Sequence, residues 1–162
     1  MHNMRVWSDS FENGEFIPKK YTCDGDNINP SLFWDSVDGA KSYAIYIYDP
    51  DIPDEVKVGM GIDIYNHFFA YNIPGYINNI KEGEINTVGQ NISNSSGYKK
   101  YIGPCPPANL EPKIHRYFFK VFALPFEEIT EHIDNIDEFL SKIKNDILDE
   151  GEFFGKYSRA GS

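Results

Sequence analysis

Apolar positions along this chain gather into short dense runs separated by turn chemistry, the pattern of a β protein. Ser42-Tyr-Ala-Ile-Tyr-Ile-Tyr48 is rich in β-branched and aromatic residues and stops sharply at Asp49-Pro50. His67-Phe-Phe-Ala-Tyr-Asn-Ile73 ends at Pro74-Gly75, a turn signal, and Arg116-Tyr-Phe-Phe-Lys-Val-Phe-Ala-Leu124 is closed by Pro125. Shorter strands are expected at Arg5 to Trp7, at Phe16-Ile17 and at Leu32 to Trp34. Helical spacing appears late, in Ile133, Ile136, Leu140, Ile143 and Ile147, with Asp134 or Asn135 to cap the start and Gly151 the end. Strands first and helix late, without βαβ alternation, predict a mostly β fold: an antiparallel sandwich or barrel with a C-terminal helix. No repeat or linker divides the chain, so residues 1–162 read as a single domain. The stretch between Ile80 and Ile114, rich in Gly, Asn, Ser and Pro, lacks periodicity and is expected to be a shaped loop at a site.

Composition sharpens this picture. Aromatic residues make up 15% of the chain, and their bulk suits half-buried pleated surfaces. The formal net charge of -10 repels nucleic acid backbones and anionic bilayers, so neither is expected as a partner. An anionic ligand must then be captured by a local pocket. The apolar runs are far shorter than the roughly 20 residues that cross a bilayer, and Met1 to Gly14 has no apolar signal-peptide core. Stable membrane insertion is therefore not expected, and a cytoplasmic location is the default. The closing Gly161-Ser162 is read as a processing remnant without weight. Cys23 and Cys105 are too few for a disulfide framework, and Cys105 reads as a small loop residue. Its proline neighbours lack the N–H groups that an oxyanion hole needs. There is no glycine-rich phosphate loop, Cys-x-x-Cys pair or serine elbow, and no cofactor is expected.

Three clusters at strand edges carry the candidate chemistry. In Asp49-Pro-Asp-Ile-Pro53 an extended chain would point Asp49 and Asp51 to one side, while a turn would use them to cap their own backbone. Tyr65-Asn-His67 opens its strand. Gly103-Pro-Cys-Pro-Pro107 precedes His115-Arg-Tyr117, in which His115 and Tyr117 share one face and Arg116 takes the other. Three chemistries follow from these types: an anion pocket with histidine, tyrosine and loop amide donors, a metal site of Asp and His ligands, or acid–base catalysis by a histidine oriented by an aspartate. Carboxylates beside an anion repel it, so the aspartates must hold histidine or loop amides, or meet the cationic part of a zwitterion such as phosphoethanolamine.

The same clusters, in this order, resemble the signature of the phosphatidylethanolamine-binding protein family, which includes Raf-kinase-inhibitor-like proteins. Asp49 to Pro53 resembles the family's Asp-Pro-Asp-x-Pro run, and Tyr65-Asn-His67 its Trp-x-His element with Tyr65 in place of Trp. Gly103 to Pro107 with His115 to Tyr117 resembles its Gly-Pro-x-Pro-Pro and His-Arg-Tyr elements. Upstream, Ile17 to Trp34 is similar to the family's opening, and Phe153 to Arg159 to the close of its bacterial and archaeal branch. The resemblance implies an antiparallel Greek-key β-sandwich with few helices and a small pocket for phosphate or phospholipid head groups. By position it assigns Asp49, Asp51, Tyr65, His67, Gly103, Pro104, His115 and Tyr117 to ligand binding. It implies a binding protein rather than an enzyme, a kinase or protease partner to regulate, and a homodimer as in that branch. The alternative from the residues alone is a metal-assisted hydrolase using Asp49, Asp51, His67 and His115. Tyr65 alters one pocket wall, and the insertion-like Asp54 to Asp63 is expected to reshape the rim.

Overall fold

In a computed structural model of the chain, residues 4–159 are described; Gly161-Ser162 lies outside them. Strands β1 (Val6–Trp7), β2 (Leu32–Trp34), β3 (Ser42–Asp49), β4 (Tyr65–Pro74), β5 (Asn79–Ile80), β6 (Gln90–Ile92), β7 (His115–Leu124) and β8 (Asp149–Tyr157) form two antiparallel sheets. The smaller sheet runs β1-β2-β5 and the larger β6-β4-β3-β7-β8. Helix α1 (Asp54–Met60) follows β3, and α2 (Ile136–Ile143) precedes β8.

The dense composition of β3 is explained by burial on both faces. Tyr43, Ile45 and Ile47 enter the core between the sheets beside Trp34, Phe68, Phe119 and Val121. Ala44 and Tyr46 point the other way, where Phe69, Tyr71 and Phe122 receive Phe139 and Ile143 of α2. A central strand buried on both faces reads as a continuous apolar run instead of a clean alternation. In β7, Arg116 and Lys120 keep polar positions on the outer face, while Tyr117, Phe119 and Val121 alternate inward.

The expected strands at Arg5 to Trp7 and Leu32 to Trp34 correspond to β1 and β2, and Phe16 makes one parallel bridge to Lys156. The helix differs from expectation. Asn135 caps it by accepting from the Glu138 N–H, but it ends at Ile143, and Gly151 lies inside β8. Strand β8 thus follows α2, which covers one face of the larger sheet. The insertion-like segment becomes α1, stopped by Gly61 in the left-handed region at φ 70°. The expected long loop holds short β6 and many backbone bonds, among them Asn94 N–H to Tyr98 O and Ser95 N–H to Asn66 O.

Candidate functional site

Strand register assembles the site. Asp49 pairs with Tyr65, and Tyr48 with Phe118, so the end of β3 lies between the beginnings of β4 and β7. Along β3–β4, Ile47 pairs with Phe68 and Tyr48 with Asn66, which leaves His67 as the extra residue of a bulge. Bulges re-aim side chains, and this one sits at the pocket. Its cavity volume is about 160 Å³.

Polar groups come from Asp49, Tyr65, His67, Gly103, His115 and Tyr117, all of which line the cavity. Its remaining walls are Ile52, Pro53 and Val56 on one side and Ile102, Cys105, Pro106 and Pro107 on the other; all but Ile102 lie within the clusters or the rim segment, though none is among the residues assigned to the ligand. Apolar walls carry no chemical signature of their own in a sequence. Asp51 and Pro104 do not line the cavity. They act as supports.

Asp49 is buried and holds two donors, the Asp51 N–H at 2.7 Å on Oδ1 and the His115 Nδ1–H at 2.7 Å on Oδ2. Asp49 thus caps its own backbone, as the turn reading expects, and also lines the cavity. His115 Nε2 donates in turn to the Pro112 carbonyl at 2.9 Å, so both of its ring nitrogens are occupied within the protein. Asp51 turns outward to Arg116, accepting from its N–H at 2.8 Å and from Nε and Nη2 at 2.8 and 2.9 Å. Burial alone would push the Asp51 carboxyl up, but the Arg116 hydrogen bonds and charge outweigh it and hold the group below the usual carboxylate range. A depressed folded pKa gives stability above the unfolded value, near 4, which is lost as pH falls through the folded value. Asp51→Asn is thus expected to cost about 1–2 kcal/mol at pH 7, with the difference from wild type shrinking in acid. Denaturant unfolding of both proteins at pH 7 and pH 3 checks this.

His67 donates its Nδ1–H to the Ile102 carbonyl at 2.6 Å, and Ile102 N–H donates to the His67 carbonyl at 3.2 Å. Burial pushes its imidazole down, more strongly than the Ile102 carbonyl and Asp49 push it up. Among the described residues, His67 Nε2 and Tyr117 Oη have no hydrogen-bond partner, and both residues line the cavity. The Tyr117 hydroxyl, with its pKa raised by burial, is a fixed O–H donor. Tyr65 tilts against His67 at 4.9 Å and hydrogen-bonds Ser96.

The loop carrying Gly103 to Pro107 is stitched to residues 19–27. Gly103 N–H donates to Asn27 Oδ1 at 2.8 Å, Cys23 N–H to Pro104 O at 3.0 Å and Tyr101 Oη to Tyr21 O at 2.7 Å. A Cβ at Gly103 would collide with the Tyr21 carbonyl, so glycine is required by that close approach. Cys105 is not the plain loop residue expected: it is disulfide-bonded to Cys23, 82 residues away. Among the described residues, no three or more His, Cys, Asp or Glu side chains group so as to hold a metal ion. Asp51 is turned to Arg116 and His115 is spent on Asp49 and Pro112.

Fold and site together define an antiparallel sandwich whose strand ends enclose a small pocket lined by apolar side chains and by Asp49, Tyr65, His67, His115 and Tyr117. A family model described as phosphatidylethanolamine-binding protein matches residues 7–158, and the chain belongs to that family. A UPF0098 protein of Aquifex aeolicus is 42% identical over 132 residues, covering 78% of this chain and 71% of the relative. Another, from Chlamydia pneumoniae, is 36% identical over 158 residues, 97% of this chain and 100% of the relative. The crystal structure of a Chlamydia trachomatis homologue aligns with TM-score 0.83 at 29% identity, covering 98% of this chain and 99% of that one. Escherichia coli YbcL, a member of the mammalian family, aligns with TM-score 0.80 at 27% identity, covering 96% and 98%.

Proposed function

We propose that this chain is a non-enzymatic binding protein whose pocket takes a small anionic or zwitterionic ligand of the phosphate-monoester type. The observation that carries this reading is that Tyr117 and His67, whose Oη and Nε2 have no hydrogen-bond partner among the described residues, both line a cavity of about 160 Å³. A benzene-sized molecule fits a cavity of about 150 Å³, so a phosphate or short head group is of the right size. Apolar walls strengthen each polar contact by excluding water. The net charge of -10 opposes a bare anion at long range, a cost that a zwitterion such as phosphoethanolamine lessens with its own ammonium.

The competing metal-assisted hydrolase has less support, since Asp51 lies outside the pocket and both nitrogens of His115 are taken. Regulation of a kinase or protease, and a homodimer, extend the binding reading; α1 offers exposed Val58 and Met60 beside the pocket-lining Val56 for such a contact. No helix among the described residues is long and apolar enough to cross a membrane. The cytoplasmic expectation carries a condition: the Cys23–Cys105 bond must survive there, and reducing cytosols break such bonds.

A two-dimensional NMR titration with inorganic phosphate and phosphoethanolamine tests the pocket. Saturable shifts are expected at the end of β3, the start of β4 and residues 101–117, with affinity reduced roughly ten-fold in Tyr117→Phe. His115→Ala is a poor probe, because it would disturb the buried Asp49 pair. Absence of shifts at millimolar ligand would sink the anion-pocket reading.

A further inference from the structure

We infer that the pocket selects oxyanions that bring their own proton, taking singly ionised phosphate monoesters ahead of sulfate esters, with His67 as the selecting residue. The inference rests on the anion-pocket reading above and adds the chemical class that the pocket accepts.

A backbone carbonyl can only accept, so the Ile102 oxygen at 2.6 Å fixes a proton on His67 Nδ1. In the uncharged ring Nε2 then presents a lone pair to the cavity. Tyr117 Oη, the other unpartnered atom, presents an O–H. The two groups ask for one acceptor and one donor on the same ligand. A phosphate monoester monoanion, HO–PO(OR)–O⁻, supplies both: an oxygen accepts from Tyr117, and its hydroxyl donates to His67. A sulfate ester of equal charge offers acceptors alone, and its oxygen would face the His67 lone pair. Sites with buried polar groups reject analogues that leave those groups unpaired.

Charging His67 would remove the selection, since Nε2 would become a donor. The ionisable groups around it decide the matter. Asp49 at the end of β3 favours the charged ring; His115 on β7 and burial oppose it, and burial is the larger effect. The Asp49 carboxylate is already committed to His115 and the Asp51 N–H. Tyr65 on the same strand and Tyr117 on β7 complete the ionisable groups of the pocket, and burial raises the pKa of the Tyr117 hydroxyl further above its ordinary value.

Methyl phosphate and methyl sulfate make the test, because at pH 5 they match closely in shape and charge and differ in the proton. The second ionisation of a phosphate ester lies near pH 6, so methyl phosphate is then mainly the monoanion. Calorimetric titration of the full chain at pH 5 is expected to show methyl phosphate bound at least ~10-fold more tightly than methyl sulfate. Above about pH 6 its affinity should fall roughly ten-fold per pH unit, following the monoanion. His67→Gln, whose amide can donate, should narrow the preference to under about three-fold. Equal binding of the two esters by the wild type, or an undiminished preference in folded His67→Gln, overturns the inference and leaves the anion pocket standing. Binding of neither ester removes the anion pocket itself, and the inference with it.

Discussion

Cys105→Ser is expected to lower the unfolding midpoint by roughly 5–15 °C and to weaken ligand binding several-fold. The Cys23–Cys105 bond joins positions 82 residues apart. Closing a loop of that length removes much of the freedom of the unfolded chain, and loss of a native disulfide typically costs about 2–5 kcal/mol. For a chain of this size each kcal/mol moves the midpoint by about 2–4 °C. Binding suffers because the bond holds one pocket wall: Cys105 lines the cavity, with Pro106 and Pro107 beyond it. The wall would loosen without detaching, since the Gly103–Asn27 and Tyr101–Tyr21 hydrogen bonds remain. Calorimetry of the wild type with and without a dithiol reductant, beside the variant, checks the expectation. A change below about 2 °C would show that those hydrogen bonds suffice.

Asp49→Ala should cost about 3–5 kcal/mol and abolish ordered packing of the pocket. Asp49 and His115 are 2% and 1% exposed, so neither can turn to water when its partner is lost. Removal of the carboxylate strands two donors together, the His115 Nδ1–H and the Asp51 N–H. Breaking a buried pair leaves an uncompensated polar group, whose desolvation is the larger part of the cost. Denaturant unfolding reads the loss, and the His115 ring protons in NMR report whether the ring stays in place. A loss below about 1 kcal/mol would mean that water enters the gap and satisfies both donors.

These two sites differ in how far the sequence announced them. Asp49, His67, His115 and Tyr117 stand at the ends of strongly patterned strands, so finding β3, β4 and β7 amounted to finding the polar lining. The roles within the lining were less legible. His115 has the residue type of a ligand donor, yet it faces acceptors inside the protein on both sides. His67 sits at a bulge, and a bulge is set by pairing between strands rather than by local composition. Strand β8 escaped notice because Asp149, Glu150, Gly151 and Glu152 suit a charged sheet edge, which reads as loop in isolation. The disulfide gave no sign either, since only the approach of residues 19–27 to the loop brings Cys23 near Cys105.

Helix α1 has no buried residue, although Val56 reaches the cavity. The segment from Asp54 to Asp63 therefore works as a detachable faceplate on a finished box. Its length and lettering can change while both sheets keep their register, because lengthening a surface loop costs little free energy. New ligand preferences can thus arise in this architecture by redrawing some ten residues at the mouth, without renegotiating the stability of the sandwich behind them.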